Sequence, residues 1–189
     1  EYFGNNKVIT TNAGTSALHL ALHLLKKPYR KTTVFEGFGS STEYWPGIEE
    51  GDEILATALT CTASNWPILA NGLKIKWVDI DPTTLSMDLK DLKRKMSPKT
   101  KAIVGVHWGG YPLDLDEILK IRIDFKKEHG WSPSLIEDGA HSIGTKYKGK
   151  YLGNHGNFVM NSLQAIKHVT SIDGGVLYCP HKELYERAK

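Results

Sequence analysis

Cysteine is scarce in this chain: 189 residues contain only Cys61 and Cys179. With no CxxC pair and no metal-type spacing, a disulfide scaffold and a cysteine-based zinc site are excluded, and a reducing, cytoplasmic setting is expected. No run of about 18 apolar residues occurs, so no membrane-spanning helix is predicted. The opening "EYFGNNKVITTNAG" lacks a basic segment followed by a hydrophobic one, and no signal peptide is expected. Its first residue is not methionine, which reads as a processed or incomplete start. Charge of one sign is also missing. The 24 Lys and Arg stand against 21 Asp and Glu, for a net charge of +3. They are scattered in pairs such as Lys26-Lys27 and Lys126-Lys127, which gives no stripe for nucleic acid. Neither a Walker loop nor a GxGxxG fingerprint is present, so nucleotide binding of those kinds is not indicated. No internal repeat or low-complexity tract interrupts the chain.

What remains is an ordinary globular composition, 40% hydrophobic and 24% charged, long enough for one domain with a substantial core. Short apolar runs alternate with segments of helical period. "KVITT" precedes a helix over 15–25, "DEILAT" one near 63–71, "KIKWVDI" one over 88–96, and "KAIVGV" one over 114–129. "SLIED", "NFVMNS" and "GGVLYC" supply three more strands. Continuous apolar runs of this kind suit strands buried on both faces, so the expected fold is α/β: a mostly parallel sheet with helices on both faces. Residues 26–50 hold Gly, Pro and aromatics without a period and read as an excursion between the first helix and the second strand.

In such sheets ligands sit at the carboxyl ends of strands, and the chemically informative residues cluster there. After the first strand, "TNAGTSALHLALHLL" opens a helix on small residues, Gly14, Thr15 and Ser16. Free backbone N–H groups and the helix dipole make such a start an anion site, although an ordinary Ser/Thr cap looks the same in sequence. "SLIEDGAHSIG" ends a strand on Asp138, with His141 three residues later. A carboxylate there can hold a heterocyclic nitrogen protonated, and an imidazole can orient a nearby oxygen. The plainer alternatives are a turn-capping aspartate and a satisfied histidine. Metal binding needs three or four ligands, more than this segment offers. His19 and His23 have the i, i+4 spacing of zinc helices, but HLALH lacks the Glu of HExxH, so helix packing explains them better. In "NSLQAIKHVTSIDGG", Lys167 sits in a weakly charged stretch. It is either a solvent-facing loop lysine or an amine able to form a Schiff base with a carbonyl compound. Together, an anion cradle, a strand-end carboxylate and such an amine are the parts that pyridoxal phosphate chemistry requires.

Six blocks in order, "NAGTSALHLAL", "GDEILATALT", "GLKIKWVDIDPTTLSMD", "KTKAIVGVHWGGYPLDLDEI", "IEDGAHSIGTKYKGKYLG" and "NSLQAIKHVTSIDGG", resemble the sugar aminotransferases of the DegT/DnrJ/EryC1/StrS group. These are fold-type-I, pyridoxal phosphate-dependent enzymes. The resemblance implies that Gly14, Thr15 and Ser16 lie at the cofactor phosphate, with Ser162 as a further phosphate ligand. It implies that Asp138 pairs with the pyridine nitrogen, that His141 lies beside the ring, and that Lys167 is the Schiff-base lysine. Lys167 and Asp138 would be the catalytic pair. An amino group would pass from an amino acid, glutamate by family habit, to a nucleotide-linked keto sugar for cell-envelope polysaccharide. A cytoplasmic homodimer is expected. Residues 1–189 are read as the large cofactor-binding domain, incomplete and without the family's small C-terminal domain.

Two departures stand out. Where relatives often place an aromatic over the cofactor ring this chain has Thr60 or Cys61, with Trp66 further along, and the Glu usual before the Gly-Gly is Asp173. Two rivals follow. Dehydratases of the same family carry histidine in place of the lysine; Lys167 speaks against that reading although His168 is adjacent. A non-catalytic binding module retaining the fold is the other.

Overall fold

The computed structural model describes residues 6–35, 39–153 and 155–189. Its main sheet contains β1 (Val8–Thr11), β4 (Glu53–Thr57), β5 (Lys74–Val78), β6 (Thr100–Val106), β7 (Ser134–Asp138), β10 (Phe158–Ser162) and β11 (Gly175–Tyr178). They lie side by side in the order β1-β11-β10-β7-β6-β4-β5. Every neighbouring pair from β10 to β5 is parallel, and β11 alone runs against both of its neighbours. β7 and β10 are buried at all five positions, and β6 at six of seven, which accounts for their unbroken apolar runs.

The pleat divides the core into two layers. Ile54, Ala56, Ala102, Val104, Ile136, Phe158 and Met160 face one way, onto α1 (Gly14–Leu24), α2 (Thr62–Ala70) and α5 (Lys182–Ala188). Leu55, Ile103 and Leu135 face the other way, onto α3 (Leu89–Lys95) and α4 (Leu115–His129). Helices therefore cover both faces. Truncating a fully buried member such as Leu18 or Phe158 to alanine costs about 3 kcal/mol.

Two helices start on side-chain caps. Asp88 accepts the N–H groups of Lys90 and Asp91 before α3, and Asp114 accepts that of Glu117 before α4. α4 ends on Gly130 in the left-handed conformation, φ 79°. α1 starts differently: Ala13 precedes it and supplies no side-chain cap.

The described residues of the excursion expected over 26–50 form strands that the composition did not suggest. β2 (Tyr29–Phe35) and β3 (Gly39–Trp45) form an antiparallel ribbon, paired from Tyr29 with Trp45 to Phe35 with Gly39. The ribbon's base is anchored in the core by Trp45, fully buried, whose Nε1 donates to the Leu25 carbonyl at 2.8 Å. A smaller hairpin, β8 (Lys146–Tyr147) with β9 (Lys150–Tyr151), turns through Lys148 and Gly149, both at positive φ.

Candidate functional site

A cavity of about 290 Å³ opens at the carboxyl ends of β6, β7 and β10, on the α1/α2 face of the sheet. The polypeptide reaches it from four directions, and each approach has a local cause.

Gly14 begins α1 pressed against β10. A Cβ at Gly14 would stand 2.9 Å from the Cβ of Ser162, too close for any side chain. Because Ala13 has no capping side chain, the first-turn N–H groups of α1 receive no side-chain acceptor from the cap position. Thr15 lines the cavity beside Gly14, and Ser162 closes the same corner. Ser16 is half-buried in the first turn and does not line the cavity.

Asp138 ends β7 only 2% exposed, at the cavity. Its Oδ1 accepts the backbone N–H of Ala140 at 3.0 Å, and its Oδ2 accepts the hydroxyl of Ser64, in the first turn of α2, at 2.6 Å. Ser64 in turn contacts the hydroxyl of Thr60 at 2.7 Å. A carboxylate oxygen takes two hydrogen bonds, so acceptor capacity remains on Asp138.

His141 lies across from Trp108, with ring centroids 5.5 Å apart. Burial, then the neighbouring Lys167 cation, hold the His141 imidazole below its ordinary value of 6.5, against an opposing pull from Asp138. The ring therefore favours its neutral form.

Lys167 sits in the segment between β10 and β11. That segment folds back on itself: Leu163 N–H donates to the Gly174 carbonyl at 2.9 Å, Ser171 N–H to the Leu163 carbonyl at 3.0 Å, and Lys167 N–H to the Gln164 carbonyl at 2.9 Å. Its return passes the start of α1 so closely that a Cβ at Gly175 would lie 2.3 Å from the Ala13 carbonyl oxygen. Gly175 is thus a clearance for α1, while Gly174, at φ 144°, serves the turn of the loop itself. Lys167, Gln164, Ile166 and Asp173 all reach the cavity wall.

Six of the seven residues singled out in the sequence, Gly14, Thr15, Asp138, His141, Ser162 and Lys167, therefore line one cavity, and Ser16 does not. Thr60 and Cys61 line it as well, whereas Trp66 does not and packs edge-on against His19 at 6.2 Å. His23 is exposed, and no group of three metal-capable side chains occurs among the described residues. Sequence reasoning missed Ser64 and Trp108. The strand-end rule pointed to both, since Ser64 begins the helix after β4 and Trp108 follows β6.

The donor set fits pyridoxal phosphate. An uncapped helix start next to two hydroxyls suits the phosphate, a buried carboxylate with acceptor capacity suits a protonated ring nitrogen, and an amine at the wall suits a carbonyl carbon.

Comparison with known proteins supports the same grouping. Residues 41–189 match the DegT/DnrJ/EryC1/StrS aminotransferase family. The chain is 35% identical to GDP-perosamine synthase of Escherichia coli O157:H7, over 94% of this chain and 42% of that protein. The crystal structure of the sugar aminotransferase CalS13 from Micromonospora echinospora superposes with a TM-score of 0.84 at 42% identity, covering 98% of this chain and 45% of that one. The E. coli GDP-4-keto-6-deoxy-D-mannose-3-dehydratase, solved with bound hydrated PLP, gives a TM-score of 0.80 at 29% identity, covering 98% and 42%. The chain thus spans less than half the length of each of these relatives.

Proposed function

From its membership of the DegT/DnrJ/EryC1/StrS aminotransferase family, to which the chain belongs, we propose that it is the cofactor-binding part of a pyridoxal phosphate-dependent sugar aminotransferase. The observation that carries this reading is the convergence of Gly14, Asp138, Ser162 and Lys167, from four separate segments, on one cavity. The whole enzyme would pass an amino group from an amino acid, glutamate in our reading, to a nucleotide-linked keto sugar. We place it in cell-envelope polysaccharide biosynthesis, in the cytoplasm. Among the described residues, no helix is long and apolar enough to cross a membrane. Residues 1–189 correspond in this reading to the large domain.

When bound, the cofactor supplies an electron sink for the substrate's α-carbon. The residues around it have separate tasks. The α1 N-terminus with Thr15 and Ser162 holds the phosphate. Asp138 keeps a proton on the ring nitrogen, since a buried carboxylate is the partner such a charge needs. His141, favoured neutral, offers a hydrogen bond without adding charge. Lys167 would hold the cofactor through its carbonyl carbon and, as a free amine, would carry the proton from the substrate's α-carbon to that carbon.

The dehydratase alternative requires a histidine in the lysine's place. Lys167 lines the cavity and the adjacent His168 does not, which favours amino transfer. A homodimer is supported by the same loop, where Ile166 and Ile172 lie 84% and 82% exposed, and an apolar surface of this kind calls for a cover.

Absorbance tests the reading. The chain mixed with pyridoxal phosphate should develop a visible band that bleaches on adding glutamate. A protein that neither colours nor bleaches, even with the rest of the polypeptide present, would sink the assignment.

A further inference from the structure

Ser64 and Thr60 stand behind Asp138, and their hydroxyls form a chain with one direction. The carboxylate can only accept, so the single proton of Ser64 is committed to Oδ2 at 2.6 Å. The 2.7 Å contact between Thr60 and Ser64 then has Thr60 as its donor. Ser64 is 3% exposed and Asp138 2%, so water does not compete for these bonds. Ser64 also lies in the first turn of α2, where the helix dipole favours negative charge on its neighbour.

We propose that Ser64, backed by Thr60, is a positioning residue that decides where the proton rests between Asp138 and the ring nitrogen of the cofactor. This rests on the cofactor reading above. A buried ion pair competes with the neutral pair reached when the proton moves from nitrogen to carboxylate, and low-dielectric surroundings favour the neutral one. Each donor to the carboxylate opposes that transfer by stabilising its charge. Asp138 has two such donors, the Ala140 N–H and the Ser64 hydroxyl. The backbone donor is fixed by the turn that follows β7. Ser64 is the adjustable one, and Thr60 strengthens it by polarising its O–H. Removing the Ser64 hydroxyl shifts the proton ratio toward Asp138 by about tenfold or more, the scale of one hydrogen bond to a charged group. The cofactor then loses its positive ring and with it much of its pull on the substrate's electrons.

The test is nitrogen NMR of the protein loaded with pyridoxal phosphate labelled with ¹⁵N in the ring, recorded beside a melting curve. In the parent protein the resonance should hold at the protonated position through the neutral pH range. Ser64→Ala should move it toward the unprotonated position, and Thr60→Val should move it less in the same direction. Ser64→Thr keeps a hydroxyl and should restore the parent position, which a loss of packing alone would not do. A folded, cofactor-bound Ser64→Ala protein with an unmoved resonance overturns the proposal. If Ser64→Ala does not fold, an unmoved Thr60→Val resonance overturns it instead. A parent protein that takes up no labelled cofactor overturns the cofactor reading itself, an outcome told apart by the absence of any bound signal.

Discussion

Glu137 and Asp138 are adjacent carboxylates on β7, and both are buried, yet they face opposite layers of the sheet. Asp138 points to the cavity with acceptor capacity to spare. Glu137 points to the α4 layer, fully buried, and its Oε2 lies 3.0 Å from His107 Nε2. His107 Nδ1 accepts the Leu113 N–H at 3.2 Å, so the ring's proton is on Nε2 and is donated to Glu137. That pair pins the turn from His107 to Leu113, which carries Trp108 to the cavity wall. The contrast teaches that a buried carboxylate is a ligand handle only where lone pairs face open space. The two-residue period of a strand is enough to separate the two duties.

Changes on the cavity side should alter chemistry at little cost in stability, and changes on the other side the reverse. The largest effect belongs to Lys167→Ala: the visible cofactor band and amino transfer should vanish while the melting curve stays put. A retained band would remove Lys167 from its role. Asp138→Asn comes next. The protein should still bind cofactor, with turnover roughly a hundredfold lower or worse, because proton transfer at the α-carbon loses its driving charge. Full turnover in that variant would contradict the assignment. Glu137→Ala should instead lower folding stability by about 3 kcal/mol, since the His107 N–H is left buried without an acceptor beside a new void. A shift in urea midpoint at constant slope measures it. If Glu137→Ala proved fully stable but unable to take up cofactor, the division by face would fail. Gly14→Ala bridges the two classes: relieving its 2.9 Å approach to Ser162 should cost about 2 kcal/mol and weaken binding of pyridoxal phosphate more than that of unphosphorylated pyridoxal.

Much of this was readable in the sequence, and the reason is periodicity. β6, β7 and β10 are buried on both faces, so their apolar runs announced them, and the residues just past such runs fell at the cavity. The ribbon of β2 and β3 was not readable because it pairs only with itself; the buried anchors described in it, Tyr29 and Trp45, face each other at its base and give no period along either strand. The reversed direction of β11 was also hidden, since an apolar strand reads the same either way. At the site, Gly14 and Gly175 were legible as small residues, but the contacts that require them join segments distant in sequence. Ser64 escaped for the same reason: its bond to Asp138 spans 74 positions.

The smallest effect sharpens the same contrast with sulfur in place of oxygen. Cys61 is exposed at the cavity, and Cys179 is fully buried in the core. Burial pushes the Cys179 thiol up from 9.0 to about 12, so the reactive thiolate is nearly absent there at neutral pH. A thiol reagent should therefore label one site on the folded protein, at Cys61, and pyridoxal phosphate should slow that labelling by filling the cavity; Cys179 should react only after unfolding. The shift also carries a stability consequence. A thiol whose folded value lies above its unfolded value favours folding fully below pH 9.0, and that contribution is lost as pH rises toward about 12. Cys179→Ala should therefore flatten the alkaline limb of a stability-against-pH curve relative to the parent protein. His141 acts at the other end: its depressed value makes its contribution complete above pH 6.5 and lost as pH falls below that. An alkaline limb as steep in Cys179→Ala as in the parent would mean that burial does not govern this thiol.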